Sequence, residues 1–217
     1  MSKVAYDELR AERMLKFFLS GVSRKISSKE KLKIFDVGCG KGLLLMLLER
    51  EGFKCYGLDI SSNVLKNARG KSNAEFVKGD IYKLPFKDKS FDVIFCMDVM
   101  EHLFDPHLAI AEIKRILKDD GFAYFSFPLE LHLEHRIRIL FGKNIHNPLA
   151  VGSHIRFFKP RDVEKLFRLN GMKIVRKRYY CPGYKLSKYL PSLEKFISNV
   201  YPSLFAGNVL VECTKIN

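Results

Sequence analysis

Lys33-Ile34-Phe35-Asp36-Val37-Gly38-Cys39-Gly40-Lys41-Gly42 begins as an apolar run and ends on three alternating glycines. A second apolar run, Cys55-Tyr56-Gly57-Leu58, closes on Asp59. The first run reads as a buried strand that enters a tight turn, with a helix over 43–51 behind it. The second reads as the next strand, with an acid at its carboxyl end. A strand, a glycine-rich turn, a helix and a strand-end acid form a site for a nucleoside at the carboxyl edge of a parallel sheet. Glycine lets the backbone turn sharply and approach a ligand closely. A carboxylate can accept hydrogen bonds from both hydroxyls of a ribose.

The spacing bears on which nucleoside is held. A dinucleotide fingerprint needs a small residue where this chain has Leu43. Asp36 also sits two residues before the first glycine, where a carboxylate suits an ammonium or other cation better than a pyrophosphate. The ligand expected is a nucleoside with a positively charged tail, and a nicotinamide oxidoreductase is disfavoured. At Asp36-Val37-Gly38-Cys39-Gly40-Lys41-Gly42 the chain resembles the class I S-adenosylmethionine (SAM)-dependent methyltransferases, whose first motif runs D-x-G-x-G-x-G.

That resemblance implies roles for further residues. Asp36 would lie near the amino group of the methionine part, with Gly38, Cys39, Gly40 and Gly42 bringing backbone against it. Asp59 would take the ribose and Ile60 a face of the adenine. Asp80, in Gly79-Asp80-Ile81, would accept from the adenine amine, with Ile81 packed on the ring. Met97 belongs to a fourth block, Cys96-Met97-Asp98-Val99-Met100-Glu101-His102-Leu103, which follows the fourth strand. Its E-H-L-x-D-P stretch resembles the ubiquinone and menaquinone methyltransferase branch. Read singly, each block has a plainer reading: a glycine turn, a helix-capping acid, a turn aspartate, a structural histidine.

Two histidines are candidate bases. His102 leaves the fourth strand at the reactive edge, and imidazole titrates near neutral pH. His154 lies in H-I-R-F-F-K-P, similar to an H-x-R-x-F segment near the substrate side of many such enzymes. Arg156 in the same segment is a candidate for orienting an anionic acceptor; a surface ion pair is its competing reading. His132, His135 and His146, with Glu130 and Glu134, match no metal-ligand spacing and read as a solvated helix face, so no metal is expected.

The rest of the chain sets bounds. Its 217 residues suit one methyltransferase domain with an N-terminal helical cap over 1–30 and lid or substrate insertions at 129–154 and 182–205. Strands are expected at 33–37, 54–59, 74–78, 91–97, 122–127, 173–180 and 209–214, with a turn at Asp119-Asp120-Gly121. Helices are expected over 5–28, from Ser61 to about 69, from Asp105-Pro106 to 117, and from Lys159-Pro160 to Asn170-Gly171. Alternating strands and helices predict an α/β fold with a doubly wound, mostly parallel sheet. The resemblance adds seven strands and an antiparallel last one. Five scattered cysteines with no CxxC pair read as reduced, buried thiols of a cytoplasmic protein. No apolar run approaches the about 20 residues of a spanning helix.

Net charge is +14, and residues 130–217 hold sixteen Lys+Arg against six Asp+Glu. Such an excess attracts RNA, anionic lipid or phosphorylated metabolites, or reflects only a lysine-rich surface. Apolar residues in the first insertion (Leu129, Leu131, Leu133, Ile137, Ile139, Leu140, Phe141) suit a greasy acceptor, a lid underside or a peripheral membrane contact. The activity expected is methyl transfer from SAM, releasing S-adenosylhomocysteine, to an O, N or C atom of a small-molecule, lipid, quinone or glycan-like acceptor. Alternatives are a tRNA or rRNA methyltransferase and a non-catalytic SAM-binding partner subunit.

Overall fold

The computed structural model describes residues 3–22, 32–145, 154–181 and 191–216. His146 and the stretches 23–31, 146–153 and 182–190 of the expected cap and insertions lie outside the described residues. A seven-stranded sheet runs through the molecule in the order β3-β2-β1-β4-β5-β7-β6. Its strands are β1 (Lys33–Val37), β2 (Lys54–Asp59), β3 (Glu75–Lys78), β4 (Phe91–Met97), β5 (Leu117–Pro128), β6 (Met172–Tyr180) and β7 (Asn208–Lys215). The first five pair in parallel, while β7 runs antiparallel to both β5 and β6. The carboxyl ends of β1 to β6 therefore share one edge.

Strand order reverses between β1 and β4, which leaves a crevice at that shared edge where connections depart in opposite directions. Alternation along the strands builds two cores. Phe35, Val37, Ile94, Cys96, Phe125 and Phe127 face one side, with α4 (Pro106–Ile116) and α6 (Pro160–Leu169) above them. Ile34, Val93, Phe95 and Tyr124 face the other. There α1 (Lys3–Val22) and α2 (Leu43–Arg50) cover the sheet; Phe18 of α1 meets Phe53, Phe95 and Tyr124 edge-on at 5.2–5.4 Å. All five cysteines are buried and unbridged, as their apolar settings suggested.

The start signals act as read. Ser61 Oγ accepts from the Val64 N–H at 3.4 Å to begin α3 (Ser62–Arg69), and Asp105 Oδ1 accepts from His107 and Leu108 to begin α4. One turn was misplaced. Asp119-Asp120-Gly121 lies inside β5: Leu117 pairs with Phe91 and Phe122 with Val93, so the intervening residues bulge from a continuing strand. After β5 come α5 (Leu133–Leu140), and after β6 α7 (Pro191–Val200) and α8 (Pro202–Phe205). No helix among the described residues is long and apolar enough to cross a membrane.

Candidate functional site

At the end of β1 the chain turns on two left-handed residues, Gly38 at φ +73° and Gly40 at φ +54°. The Gly38 and Cys39 N–H groups both donate to Leu58 O, at 2.7 and 2.9 Å, which ties the turn to β2. A Cβ on Gly38 would lie 2.5 Å from Val99 Cγ2, whereas a Cβ on Gly40 would meet nothing within 4 Å. Gly38 thus serves close packing, and Gly40 faces open space at the crevice. Gly42 caps α2 in the same left-handed conformation, and Cys39 is buried beneath the turn.

Asp59 ends β2 beside this turn. Its Oδ2 accepts from the Gly40 N–H at 3.0 Å and its Oδ1 from the Ser61 N–H at 2.9 Å. Each carboxylate oxygen keeps a second lone pair for a further donor. Ile60 stands next to it, 68% exposed, a large apolar side chain left in water. Asp80 is exposed, and its Oδ1 accepts from the Tyr82 N–H at 2.9 Å. Ile81 turns into the core instead of the crevice rim. Met97, at the end of β4, is half-buried against the α1 side.

Asp36 is 3% exposed, and its Oδ1 has no hydrogen-bond partner. Burial, with the charge of Asp59 second, pushes its carboxyl well above the usual range. A buried carboxylate in this state gains from a cation brought alongside. The orphaned Asp36 oxygen, the open space over Gly40 and the spare lone pairs of Asp59 fit a ligand carrying an ammonium, close backbone contact and a ribose diol. That is the donor and acceptor pattern of SAM.

The second half of the site follows β4 and β5. Asp98 takes a left-handed φ of 50°, its N–H donates to Ser126 Oγ at 2.9 Å, and its carboxylate pairs with Arg10 of α1. Glu101, in the 3-10 turn Met100–His102, is fully buried, with both carboxylate oxygens lacking hydrogen-bond partners. Burial pushes its carboxyl up to about 7. His102 is exposed, and its ring meets that of His154 edge-on at 4.9 Å. His154 Nδ1 lies 2.6 Å from Glu130 Oε1, and its Nε2 3.8 Å from Glu101 Oε1. The two sequence-predicted histidines therefore converge.

Arg156 is spent locally: its guanidinium donates to Leu103 O at 2.8 Å and to Phe104 O. The expected solvated face for His132 and His135 is not found. His132 is 5% exposed, and His135 Nδ1 lies 2.7 Å from Glu130 O, because the chain leaving β5 folds both rings inward. Sequence reading gave Glu101 and Glu130 no catalytic part. The signal was present, since each follows the end of a parallel strand at the reactive edge. Glu101, His102 and His154 also bring one ligand atom each to within 4.8 Å of one another, which is enough for three ligands of a cation site.

Residues 35–125, which carry most of this edge, match the family model of the methyltransferase domain. Over that stretch, less than half of its length, the chain is similar to the methyltransferase domain. The chain is 31% identical over 150 residues to a ubiquinone biosynthesis O-methyltransferase of Thiobacillus denitrificans, a match covering 65% of this chain and 64% of the relative. The chain thus spans just under two thirds of that protein. It is 29% identical over 195 residues to an uncharacterised protein of Methanocaldococcus jannaschii, covering 84% and 79%. The fold is similar to that of the magnesium protoporphyrin IX methyltransferase of Synechocystis with bound SAH, at TM-score 0.68 and 19% identity, covering 99% of this chain and 88% of that one.

Proposed function

We propose that this methyltransferase moves the methyl group of SAM to a small, largely apolar acceptor of lipid or quinone type, with glycan-like acceptors in the same class of candidates. The supporting observation is a cavity of about 400 Å³ lined by His132, Leu133, Cys181, Phe196, Val200 and Tyr201. It lies beyond the ends of β5 and β6, at the sheet edge that carries the SAM residues. Apart from Cys181, its walls come from the segments read as insertions, which act as lid and acceptor pocket. The similarity to a ubiquinone biosynthesis O-methyltransferase favours an oxygen as the receiving atom.

The sulfonium of SAM is an activated methyl donor, so little covalent chemistry falls to the protein. Asp36 holds the ammonium, Asp59 the ribose and Ile60 one adenine face, with Asp80 at the adenine amine. Rate then comes from alignment and exclusion of water. His154 or His102 takes the proton that an oxygen or nitrogen acceptor must lose. α5 has no buried residue, and Leu140 and Phe141 are 80% and 72% exposed beside Arg136, Arg138 and Lys143, which suits peripheral contact with an anionic lipid surface.

The test is calorimetric titration with SAM, SAH and NAD, followed by methyl-label transfer into fractionated lipids, phenols and RNA. Micromolar binding of both adenosyl ligands, no NAD binding and label in an apolar fraction are expected. Label in RNA alone would favour the second reading, supported by the basic stretch after residue 129 and by exposed Lys173 and Arg178 on the edge strand β6. Steep weakening with salt would accompany it. Adenosyl binding without transfer to any fraction would favour a non-catalytic partner subunit.

A further inference from the structure

Glu130 is the residue at this edge whose geometry has no role in the reading above. It follows β5 directly, is 5% exposed, and addresses two imidazoles at once. Its Oε1 lies 2.6 Å from His154 Nδ1, and its Oε2 lies 3.3 Å from His135 Nδ1. The backbone of the His154 segment is fixed separately, since Ile155 and Arg156 N–H groups donate to Glu101 O at 3.0 and 3.2 Å. Arg156 clamps the same segment to the Leu103 and Phe104 carbonyls. The His154 ring is therefore held by its main chain from one side and by a buried carboxylate from the other.

We propose that Glu130 is a positioning residue: by accepting from the His154 Nδ1–H it fixes the imidazole tautomer whose basic Nε2 faces the reactive edge. This rests on the methyl-transfer reading. A carboxylate accepts and cannot donate, so a 2.6 Å contact to Nδ1 requires the proton there and leaves the lone pair on Nε2 of the neutral ring. Nε2 is directed toward Glu101, 3.8 Å away, and the His102 ring packs beside it. When an acceptor hydroxyl is methylated, its oxygen forms the new bond to carbon, the sulfur keeps the electron pair of the broken bond, and the hydroxyl proton passes to Nε2. The imidazolium so formed sits against the Glu130 carboxylate, which stabilises it without taking its proton. His102 is exposed, and its ring packs edge-on beside that of His154.

Nitrogen-resolved NMR of the histidine rings in the SAH-bound full chain at pH 8 tests this, with His154→Gln to assign the resonance. The wild-type ring is expected as the Nδ1–H tautomer, and Glu130→Leu is expected to lose that preference. An Nε2–H tautomer in the wild type overturns the proposal, whether or not the variant folds. The measurement needs no acceptor, so it fails separately from the methyl-transfer reading, which the label-transfer screen decides. With an acceptor in hand, Glu130→Gln should lower kcat about 100-fold and leave KM and SAH affinity within about twofold. Equal loss in KM and SAH affinity would make Glu130 merely structural. A divalent cation on Nε2 would demand the same tautomer. Loss of activity in EDTA that Mg²⁺, Mn²⁺ or Zn²⁺ restores would therefore overturn the base role, and full activity in EDTA supports it.

Discussion

Asp59 Oδ2 accepts the Gly40 N–H at 3.0 Å, so the acid that ends β2 also shapes the glycine turn that ends β1. The same carboxylate takes the Ser61 N–H at 2.9 Å. Removing the whole side chain would disturb turn and ligand together. Asp59→Asn keeps the shape and one acceptor oxygen while removing the charge. We expect SAH affinity to fall about 10- to 100-fold, the range of a hydrogen bond to a charged group, about 1.5–3 kcal/mol. Calorimetry measures the affinity, and a melting curve controls for the fold. Unchanged affinity would remove Asp59 from the ribose.

The two left-handed glycines should respond differently to a single added methyl. Gly38→Ala combines an unfavourable φ of +73° with a Cβ placed 2.5 Å from Val99 Cγ2. The strain and overpacking should cost about 2–4 kcal/mol of stability. Gly40→Ala has a similar φ but nothing within 4 Å of its Cβ. It should lose only about 1–2 kcal/mol to strain, yet weaken SAH because the methyl enters space the ligand needs. Denaturant titration and calorimetry on both variants check this. Equal stability losses, or full SAH affinity in Gly40→Ala, would contradict it.

The glycine turn, Asp59 and the helix caps were legible because their geometry is set by residues next to one another in sequence. The β5 register was less so. Asp119-Asp120-Gly121 has turn composition, yet the pairing of Leu117 with Phe91 carries the strand through it. Inward folding of His132 and His135 was invisible because it depends on Glu130 and on the walls of a cavity built from distant segments. Glu101 and His154 meet only because β4 and β5 end at one edge. The antiparallel β7 came from resemblance alone.

Glu101 makes stability depend on pH in a stated direction. Its carboxyl is raised from 4.5 to about 7, with burial as the main cause, Arg10 opposing and Glu130 reinforcing. His154 faces it at 3.8 Å, and the His102 ring packs on His154. Below about pH 4.5 folded and unfolded chains both hold this proton, and burial costs nothing extra. Between the two values the unfolded chain releases the proton and the folded one keeps it, so stability falls as pH rises. Above about pH 7 the full loss, about 3 kcal/mol, has accrued. Glu101→Gln should remove this decline. Denaturant midpoints from pH 4.5 to 8 check it, and identical slopes in both proteins would refute the buried-acid account.

Arg176 should prove the main tether of α1 to the sheet. It lies on β6 and donates to Glu212 Oε2 of β7 at 2.7 Å, to Ser20 Oγ at 2.7 Å and to Phe17 O, while its guanidinium stacks over the Phe17 ring at 4.0 Å. Glu212 is 3% exposed, so deleting its cation removes the neighbour that neutralises a buried carboxylate. Arg176→Met should cost about 3–5 kcal/mol, and Arg176→Lys less, since it keeps the charge but not the fork. The same change should speed amide exchange along α1 more than along β4. Because Arg10 of α1 pairs with Asp98 at the reactive edge, SAH binding should slow that exchange again in the wild type. Uniform exchange in Arg176→Met, with no preference for α1, would show that the apolar contacts of Phe18 hold the helix without it.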